Sequence, residues 1–322
     1  MNLAKAFCDH FQHQESHTHD FDLYEVQKGF YLGYDEAQNI AVVCKANSPV
    51  RPPLLQKTKM LSVECNVKVS YYVDGACYDD TVHIVRCFAQ SKREKDIFID
   101  LSPLFLEACS HRDQEEAILE VVATLSSFFA SSNEPSDNEL QGLYAELFTI
   151  DSYRDHVNLG IYWQSKDRMK FDFSISESVK LEIKSTQKGQ RIHHFRHEQL
   201  VSELHNTYVV SYILRQDDEG YSLFDLIESV KPLLLGDPKK LMRIYRLVKN
   251  VSEQRLKALR FSKAYSEKYR NIYRAIDIPQ FCGGTPVGVS NAEYDCDLTG
   301  ATPIHEETLW QEITAIIHTE EE

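Results

Sequence analysis

The sequence contains no apolar run that approaches the roughly 18 residues of a membrane span, and residues 1–12 carry no hydrophobic signal-peptide core. Its eight cysteines include no Cys-x-x-Cys pair, and most of them lie in apolar stretches. Without a secretion signal, cysteines of this kind are typical of reduced packing residues. We therefore predict a cytoplasmic protein with no membrane segment.

Positive charge is also scarce, because 35 Lys and Arg stand against 49 Asp and Glu and the formal net charge is −14. Such acidity argues against nucleic acid as a partner. Residues 238–275 reverse the balance, with twelve basic residues, two acids and interleaved tyrosines. A basic, aromatic and largely helical segment predicts contact with a DNA backbone. A helical face that docks onto the acidic remainder of the chain, or onto a partner protein, explains the pattern equally well.

The chain length of 322 residues favours two domains. The N-terminal third contains apolar or alternating runs separated by turn signals, and Asp74-Gly75 between two of these runs indicates a hairpin. The runs cover residues 29–34, 39–45, 59–73, 76–89 and 96–101. We predict a mostly antiparallel β domain over residues 1–110 that serves recognition or docking.

Helical signals dominate the next part of the chain. Apolar residues over 113–131 recur at helical spacing, and Ser136 with Glu139 forms a capping box that opens a second helix. A buried strand over 207–214 and an amphipathic helix over 222–230 follow. This order predicts a second domain over residues 111–322, with a central mixed sheet flanked by helices. The fold class is therefore α+β or α/β.

Residues 170–186 form the most informative stretch. Apolar and polar residues alternate on both sides of a tight loop, which predicts two short strands with one apolar and one polar face. If Ile175 faces Val179, the antiparallel register places Asp172 opposite Glu182, with Cβ atoms about 5 Å apart. A slip of one residue would put the two acids on opposite faces.

Two facing carboxylates repel each other, so that one of them binds a proton or a cation lies between them. Lys184 lies two residues beyond Glu182 on the same face. Two acids with a neighbouring lysine predict a site for a hard metal ion. The alternative interpretation is the solvated outer face of an edge hairpin, in which Lys180 and Lys184 pair with the acids.

Four segments carry a family resemblance. The segments are a helix with Gly142-Leu-Tyr-Ala-Glu146-Leu147, a strand with Asp172-Phe173, a strand with Glu182-Ile-Lys-Ser-Thr186, and the Arg/His-rich segment Arg191–Leu200. They resemble the motifs of a PD-(D/E)XK family. The proteins of that family occur in prokaryotic restriction and phage-defence gene clusters. The chain departs from the motif at Phe171, where the motif has proline.

The resemblance implies a restriction-endonuclease-like domain and metal-dependent hydrolysis of phosphodiester bonds in DNA. The catalytic residues that it implies are Glu146, Asp172, Glu182 and Lys184. Asp172, Glu182, the Ile183 carbonyl and Glu146 would hold Mg²⁺ or Mn²⁺. A second Asp-x-Lys copy at 237–239 lies in a turn without a preceding acidic strand, and we interpret it as a helix start. A non-catalytic assembly or regulatory subunit with the same fold is the alternative function.

Basic residues suggest a path for the nucleic acid. The candidate contacts are Lys188, Arg191, His194 and Arg196 after the hairpin, and Lys239, Lys240, Arg243, Arg246, Lys263 and Arg270 in the basic segment. His193, His194 and His197 form an alternative zinc cluster, although no fourth ligand follows at a suitable spacing. The expected partners are DNA and other subunits of a restriction or defence system. Two cuts in a duplex need two sites, which favours a homo-oligomer.

Overall fold

The computed structural model describes residues 7, 10–11, 21–47, 51–73, 76–164, 170–202, 204–234, 237–281, 288–289 and 291–320. The chain divides into two compact units, Met1–Asn133 with Leu235–Lys249, and Glu134–Leu234 with Asn250–Glu322. The first unit therefore continues beyond residue 110. The second unit contains all of the predicted catalytic residues.

The first unit is built on a six-stranded sheet. Its strands are β1 (Phe21–Gln27), β2 (Phe30–Asp35), β3 (Ile40–Lys45), β4 (Leu54–Lys57), β5 (Leu61–Val73) and β6 (Ala76–Cys87). Their order is β1-β2-β3-β6-β5-β4, and these neighbours are antiparallel. A parallel pairing of β1 with β5 closes a ring of five strands. The sheet is thus mostly antiparallel, as predicted, while Asp74 and Gly75 lie outside the described residues.

Beyond residue 20, the described residues of this unit also form the helices α1 (Lys92–Leu101), α2 (Pro103–Cys109), α3 (Gln114–Ala130) and α7 (Pro238–Val248). The interpretation of 96–101 as an extended run is wrong, because these residues lie in α1. Ser91 and Glu94 form a capping box that starts this helix. A short apolar run fits the periodicity of a helix and that of a strand equally well, and here the capping box is the feature that indicates a helix. The N-cap Asp237 confirms that 237–239 is a helix start.

One cysteine pair differs from the prediction. Cys44 on β3 and Cys109 at the end of α2 form a disulfide, although 65 residues separate them in the chain. The expectation that every cysteine is reduced is therefore wrong for this pair. Cys65 and Cys87 are free and buried, in agreement with packing roles.

The second unit contains a four-stranded mixed sheet and two smaller strand pairs. The strands are β7 (Phe173–Ser174), β8 (Val179–Thr186), β9 (Ile192–Arg196), β10 (Asn206–Ile213), β11 (Gln216–Ser222), β12 (Arg260–Phe261), β13 (Arg270–Arg274) and β14 (Glu293–Asp297). The sheet order is β13-β10-β8-β7, in which only β8 and β10 are parallel. The predicted mixed sheet and the strand near 207–214 are thereby confirmed. The separate pairs are β11-β12 and β14-β9.

Helices accompany this sheet: α4 (Asp137–Ser152), α5 (His197–Leu200), α6 (Leu223–Val230), α8 (Glu253–Ala258), α9 (Lys263–Lys268) and α10 (Glu306–Glu320). The predicted capping box of Ser136 and Glu139 starts α4. Gln141 of α4 donates from Nε2 to Ser185 Oγ over 3.1 Å, so α4 packs on the face of β8 that carries Ser185. Over the part of the chain that is described, no helix is long and apolar enough to cross a membrane.

Candidate active site

The register of the 170–186 hairpin agrees with the sequence-based expectation. Phe173 pairs with Leu181 and Ser174 pairs with Lys180 in an antiparallel arrangement. Continued by one residue, this register puts Asp172, just before β7, opposite Glu182 on β8. The one-residue slip that would separate the acids does not occur.

The site lies on an inner strand. β8 has β7 on one side and β10 on the other, and Glu182 is only 4% exposed. Glu182 and Lys184 alternate with Ser185, so they lie on the face opposite to α4. Lys184 Nζ is 5.0 Å from the centre of the Phe195 ring of β9, which covers this face. The alternative interpretation as a solvated outer face is therefore wrong.

The surroundings of Glu182 disfavour its ionised form. Its Oε1 atom is 2.7 Å from Lys184 Nζ, whereas its buried Oε2 atom has no hydrogen-bond partner among the described residues. Burial, and then repulsion by Asp172, raise the pKa of Glu182 to about 8, against the opposing effects of Lys184 and Gln199. Without a cation, Glu182 is thus largely protonated at neutral pH.

Backbone contacts fix Asp172 beside β8. Its Oδ2 atom accepts the Ile183 N–H over 2.8 Å, and its carbonyl accepts the Gln164 N–H over 3.0 Å. The carboxylate therefore takes the place of a ladder partner for Ile183. The Ile183 carbonyl remains a predicted metal ligand.

Glu146 on α4 is linked to the same hairpin through a tryptophan that the sequence analysis missed. The buried Trp163 donates from Nε1 to Glu146 Oε2 over 2.6 Å. Trp163 also forms an antiparallel bridge with Phe173 of β7. Glu146 is thus tied to the edge of the sheet where Asp172 lies. The only sequence signal was that Trp163 is one of two tryptophans in the chain.

The acid pair fits a hard metal ion. The carboxylates of Asp172 and Glu182 are the donor type that Mg²⁺ and Mn²⁺ prefer, and the unpaired Glu182 Oε2 is a buried donor atom ready for a cation. Within the described ranges, no group of three or more His, Cys, Asp and Glu side chains is arranged to hold a metal. The role of Glu146 as a further ligand therefore remains a prediction.

Several predicted nucleic-acid contacts are instead internal. Arg191 is buried and donates to the carbonyl and Oγ of Ser211 and to the Tyr269 carbonyl. Lys240 is buried beside Asp237 within the first unit. Arg270 is largely buried and pairs with an acid at 2.6 Å. We correct the assignment of these three residues, because their donors already bind protein groups.

The other predicted contacts are more accessible. His194 and Arg196 lie beside Glu293, and Lys239 pairs with an acid of the first unit. Lys188, Arg246 and Lys263 are exposed, and Arg243 is half-buried. The roles of these seven residues in binding remain predictions.

The three histidines of the alternative zinc cluster bind separate partners. His193 is 2.7 Å from Ser211 Oγ, and His197 Nδ1 is 3.1 Å from the Tyr294 hydroxyl, whereas His194 lies beside Asp295. Burial, with Lys184 and Arg191 nearby, lowers the pKa of His193 to about 4, so that its ring is neutral at pH 7. This arrangement does not support a zinc site.

A mixed sheet, a helix across one face and a buried glutamate opposite a second acid are consistent with the fold of a PD-(D/E)XK domain. A family model described as "Putative PD-(D/E)XK family member (DUF4420)" matches residues 28–299. The chain belongs to this family. No curated protein and no solved structure matches the chain.

Proposed function

We propose that this protein is a metal-dependent DNA endonuclease that hydrolyses phosphodiester bonds. The observation that carries the proposal is the buried Glu182, which lies opposite the half-buried Asp172 and has Lys184 Nζ 2.7 Å from its Oε1 atom. Burial, and then the charge of Asp172, raise the pKa of Glu182, so that ionising this carboxyl group costs the fold free energy. Such a cost is typical of functional sites, where a ligand compensates for it.

The residues that would hold Mg²⁺ or Mn²⁺ are Asp172, Glu182 and the Ile183 carbonyl, with Glu146 as a further ligand. When bound, the ion supplies charge neutralisation at the phosphate and a lower pKa for the attacking water. The carboxylates would compensate the charge of the ion in a site that β9 shields from bulk water. Trp163 would hold Glu146 toward the edge of the sheet.

Lys184 would provide the positive charge next to the reacting phosphate. In the structure its ammonium group donates to Glu182, and its side chain is 20% exposed, so substrate can reach it. A cationic donor there stabilises negative charge that develops on the phosphate oxygens. Exposed Lys188, two residues beyond the end of β8, would contact the adjacent backbone.

We further propose that the enzyme acts in the cytoplasm of a prokaryote, within a restriction or anti-phage defence system. Its net charge of −14 weakens non-specific attraction to DNA, so other subunits of the system would deliver the substrate. A homo-oligomer would supply the second site that a double-strand cut needs. The first unit would serve recognition or docking.

Nicking of supercoiled plasmid tests the proposal. The wild-type protein, alone or with its operon neighbours, should nick plasmid in Mg²⁺ or Mn²⁺ and remain inactive in chelator. Glu182→Ala should abolish nicking, whereas Glu177→Gln, at an exposed acid in the loop of the same hairpin, should retain it. If the wild-type protein cuts no DNA under any of these conditions, the enzymatic proposal is wrong.

A non-catalytic subunit of such a system is the second candidate. It is favoured by the internal use of three predicted DNA contacts, Arg191, Lys240 and Arg270. This candidate predicts that the protein binds its operon partners without metal and that Glu182→Ala leaves the assembly and its activity unchanged. Co-purification and nicking by the assembly containing this variant distinguish the two functions.

A further inference from the structure

Gln199 is a buried glutamine whose amide group connects two segments of the site. It lies in the single turn of α5, directly after β9, and is 7% exposed. Its Oε1 atom accepts the Arg196 N–H over 3.0 Å, and its Nε2 atom donates to the Lys170 carbonyl over 2.8 Å. Both polar ends of the side chain are therefore occupied, and its position is defined.

The Lys170 carbonyl belongs to the segment that leads to Asp172. Lys170 is also held by an ion pair with Glu198, the neighbour of Gln199. Two adjacent residues of α5 thus bind the chain two residues before the first acid. The Gln199 amide also lowers the pKa of Glu182, the second acid, against the larger effects of burial and Asp172. One side chain therefore joins the end of β9 to the segment that leads to Asp172.

We infer that Gln199 is a positioning residue that holds Asp172 opposite Glu182. This inference rests on the proposed function, because a metal-binding role makes the separation of the two carboxylates important. It adds a residue to the site without making that residue a ligand. β7 is only two residues long, so Gln199 adds a constraint from outside the hairpin to the bonds that Asp172 forms with Ile183 and Gln164.

The chemistry of an amide suits this task. A glutamate at this position could not donate to the Lys170 carbonyl when ionised, and it would add a third negative charge beside Asp172 and Glu182. A methionine would fill the same volume but would bind neither the carbonyl nor the Arg196 N–H. The two replacements, Gln199→Glu and Gln199→Met, therefore remove the bond to Lys170 in different ways.

The Ile183 amide reports the position of Asp172 without any metal, because it donates to Asp172 Oδ2. In protein labelled with ¹⁵N-isoleucine, both variants should shift the Ile183 resonance and accelerate its hydrogen exchange on the order of tenfold. The matched control is Gln141→Met, which removes an amide bond to Ser185 on the other face of β8. This control should leave Ile183 unchanged.

Mn²⁺ binding, measured by calorimetry on variants whose thermal melts show a folded protein, gives the second readout. Gln199→Met should raise the Mn²⁺ dissociation constant on the order of tenfold, as for other residues that orient ligands. Gln199→Glu adds a charge that attracts the ion, so its effect on positioning is measured at Ile183 alone. If Ile183 is unchanged in both folded variants, the positioning role is wrong. If Ile183 responds but the wild-type protein binds no Mn²⁺, Gln199 positions Asp172 and the proposed nuclease function is the part that fails.

Discussion

Lys184 Nζ lies 2.7 Å from Glu182 Oε1, yet this contact does not keep Glu182 ionised at neutral pH. Burial removes the carboxylate from water, and Asp172 adds a repulsive charge, so that the pKa of Glu182 rises to about 8. The lysine compensates only part of this cost. The pair therefore makes the stability of the protein depend on pH.

The first prediction concerns this pH dependence in metal-free protein. The folded state holds the Glu182 proton up to a pH of about 8, whereas the unfolded chain releases it near the ordinary value of 4.5. Between these values the folded state binds more protons, so the free energy of unfolding falls as pH rises. The contribution of Glu182 is complete below pH 4.5 and is lost toward pH 8. Guanidinium unfolding at pH 5 and pH 8 measures it.

Glu182→Gln should reduce this slope, because the amide is neutral at both pH values and has nearly the same shape. Between pH 5 and pH 8, the free energy of unfolding should therefore fall less for the variant than for the wild-type protein. Glu177→Gln is the control, since Glu177 is exposed in the loop of the same hairpin and should leave the slope unchanged. Parallel pH profiles for the wild-type protein and Glu182→Gln would contradict the prediction.

The second prediction is that Mg²⁺ or Mn²⁺ raises the melting temperature. A ligand that binds only the folded state at a hundred times its dissociation constant stabilises it by about 2.7 kcal/mol. The shift should be larger at pH 8 than at pH 6, because the ion competes with the Glu182 proton. Differential scanning calorimetry with and without metal measures both effects.

Asp172→Asn should remove most of this metal response, because it removes one of the two paired carboxylates. Glu177→Gln should respond like the wild-type protein. If Asp172→Asn keeps the full shift, the ion binds elsewhere and the assignment of the acid pair as its site is wrong.

Local signals in the sequence predicted the elements that local chemistry determines. The capping box of Ser136 and Glu139 fixed the start of α4, and alternation over 170–186 fixed the register that pairs Asp172 with Glu182. In both cases the determining residues are close together in the chain. Periodicity failed at 96–101, where a run of six residues is too short to separate a helix from a strand.

Long-range partners could not be predicted in the same way. Arg191 looked like a phosphate contact because of its basic neighbours, but its partners Ser211 and Tyr269 are 20 and 78 residues away. Trp163 likewise meets Glu146 only because the bridge to Phe173 brings it to the edge of the sheet. Residue type and spacing identify a charge or a donor, whereas the fold decides what it binds.

The third prediction follows from the internal role of Arg191. Arg191→Lys keeps the charge but loses the planar group that reaches both Ser211 and Tyr269, so it should lower the free energy of unfolding by about 1–3 kcal/mol. The exposed Arg196, paired with Glu293, provides the control, and Arg196→Lys should change stability by less than about 0.5 kcal/mol. Urea unfolding compares the two. If the two substitutions lower the free energy of unfolding equally, the buried hydrogen bonds of Arg191 contribute no particular stability.

The last prediction uses the two tryptophans of the chain. Trp163→Phe retains an aromatic ring but leaves the Glu146 carboxylate without its indole donor, which should cost about 1–3 kcal/mol of stability. Trp310 donates in the same way to Glu306, over 3.2 Å and in a half-buried position, so Trp310→Phe should cost less.

Urea unfolding of both single variants, and of Trp163→Phe combined with Glu146→Gln, separates the indole bond from the loss of ring volume. If the bond carries the effect, the double variant should be more stable than the sum of the two single effects predicts, because the second change acts on a carboxylate that has already lost its indole donor. Strict additivity would mean that Trp163 stabilises the sheet edge by packing alone.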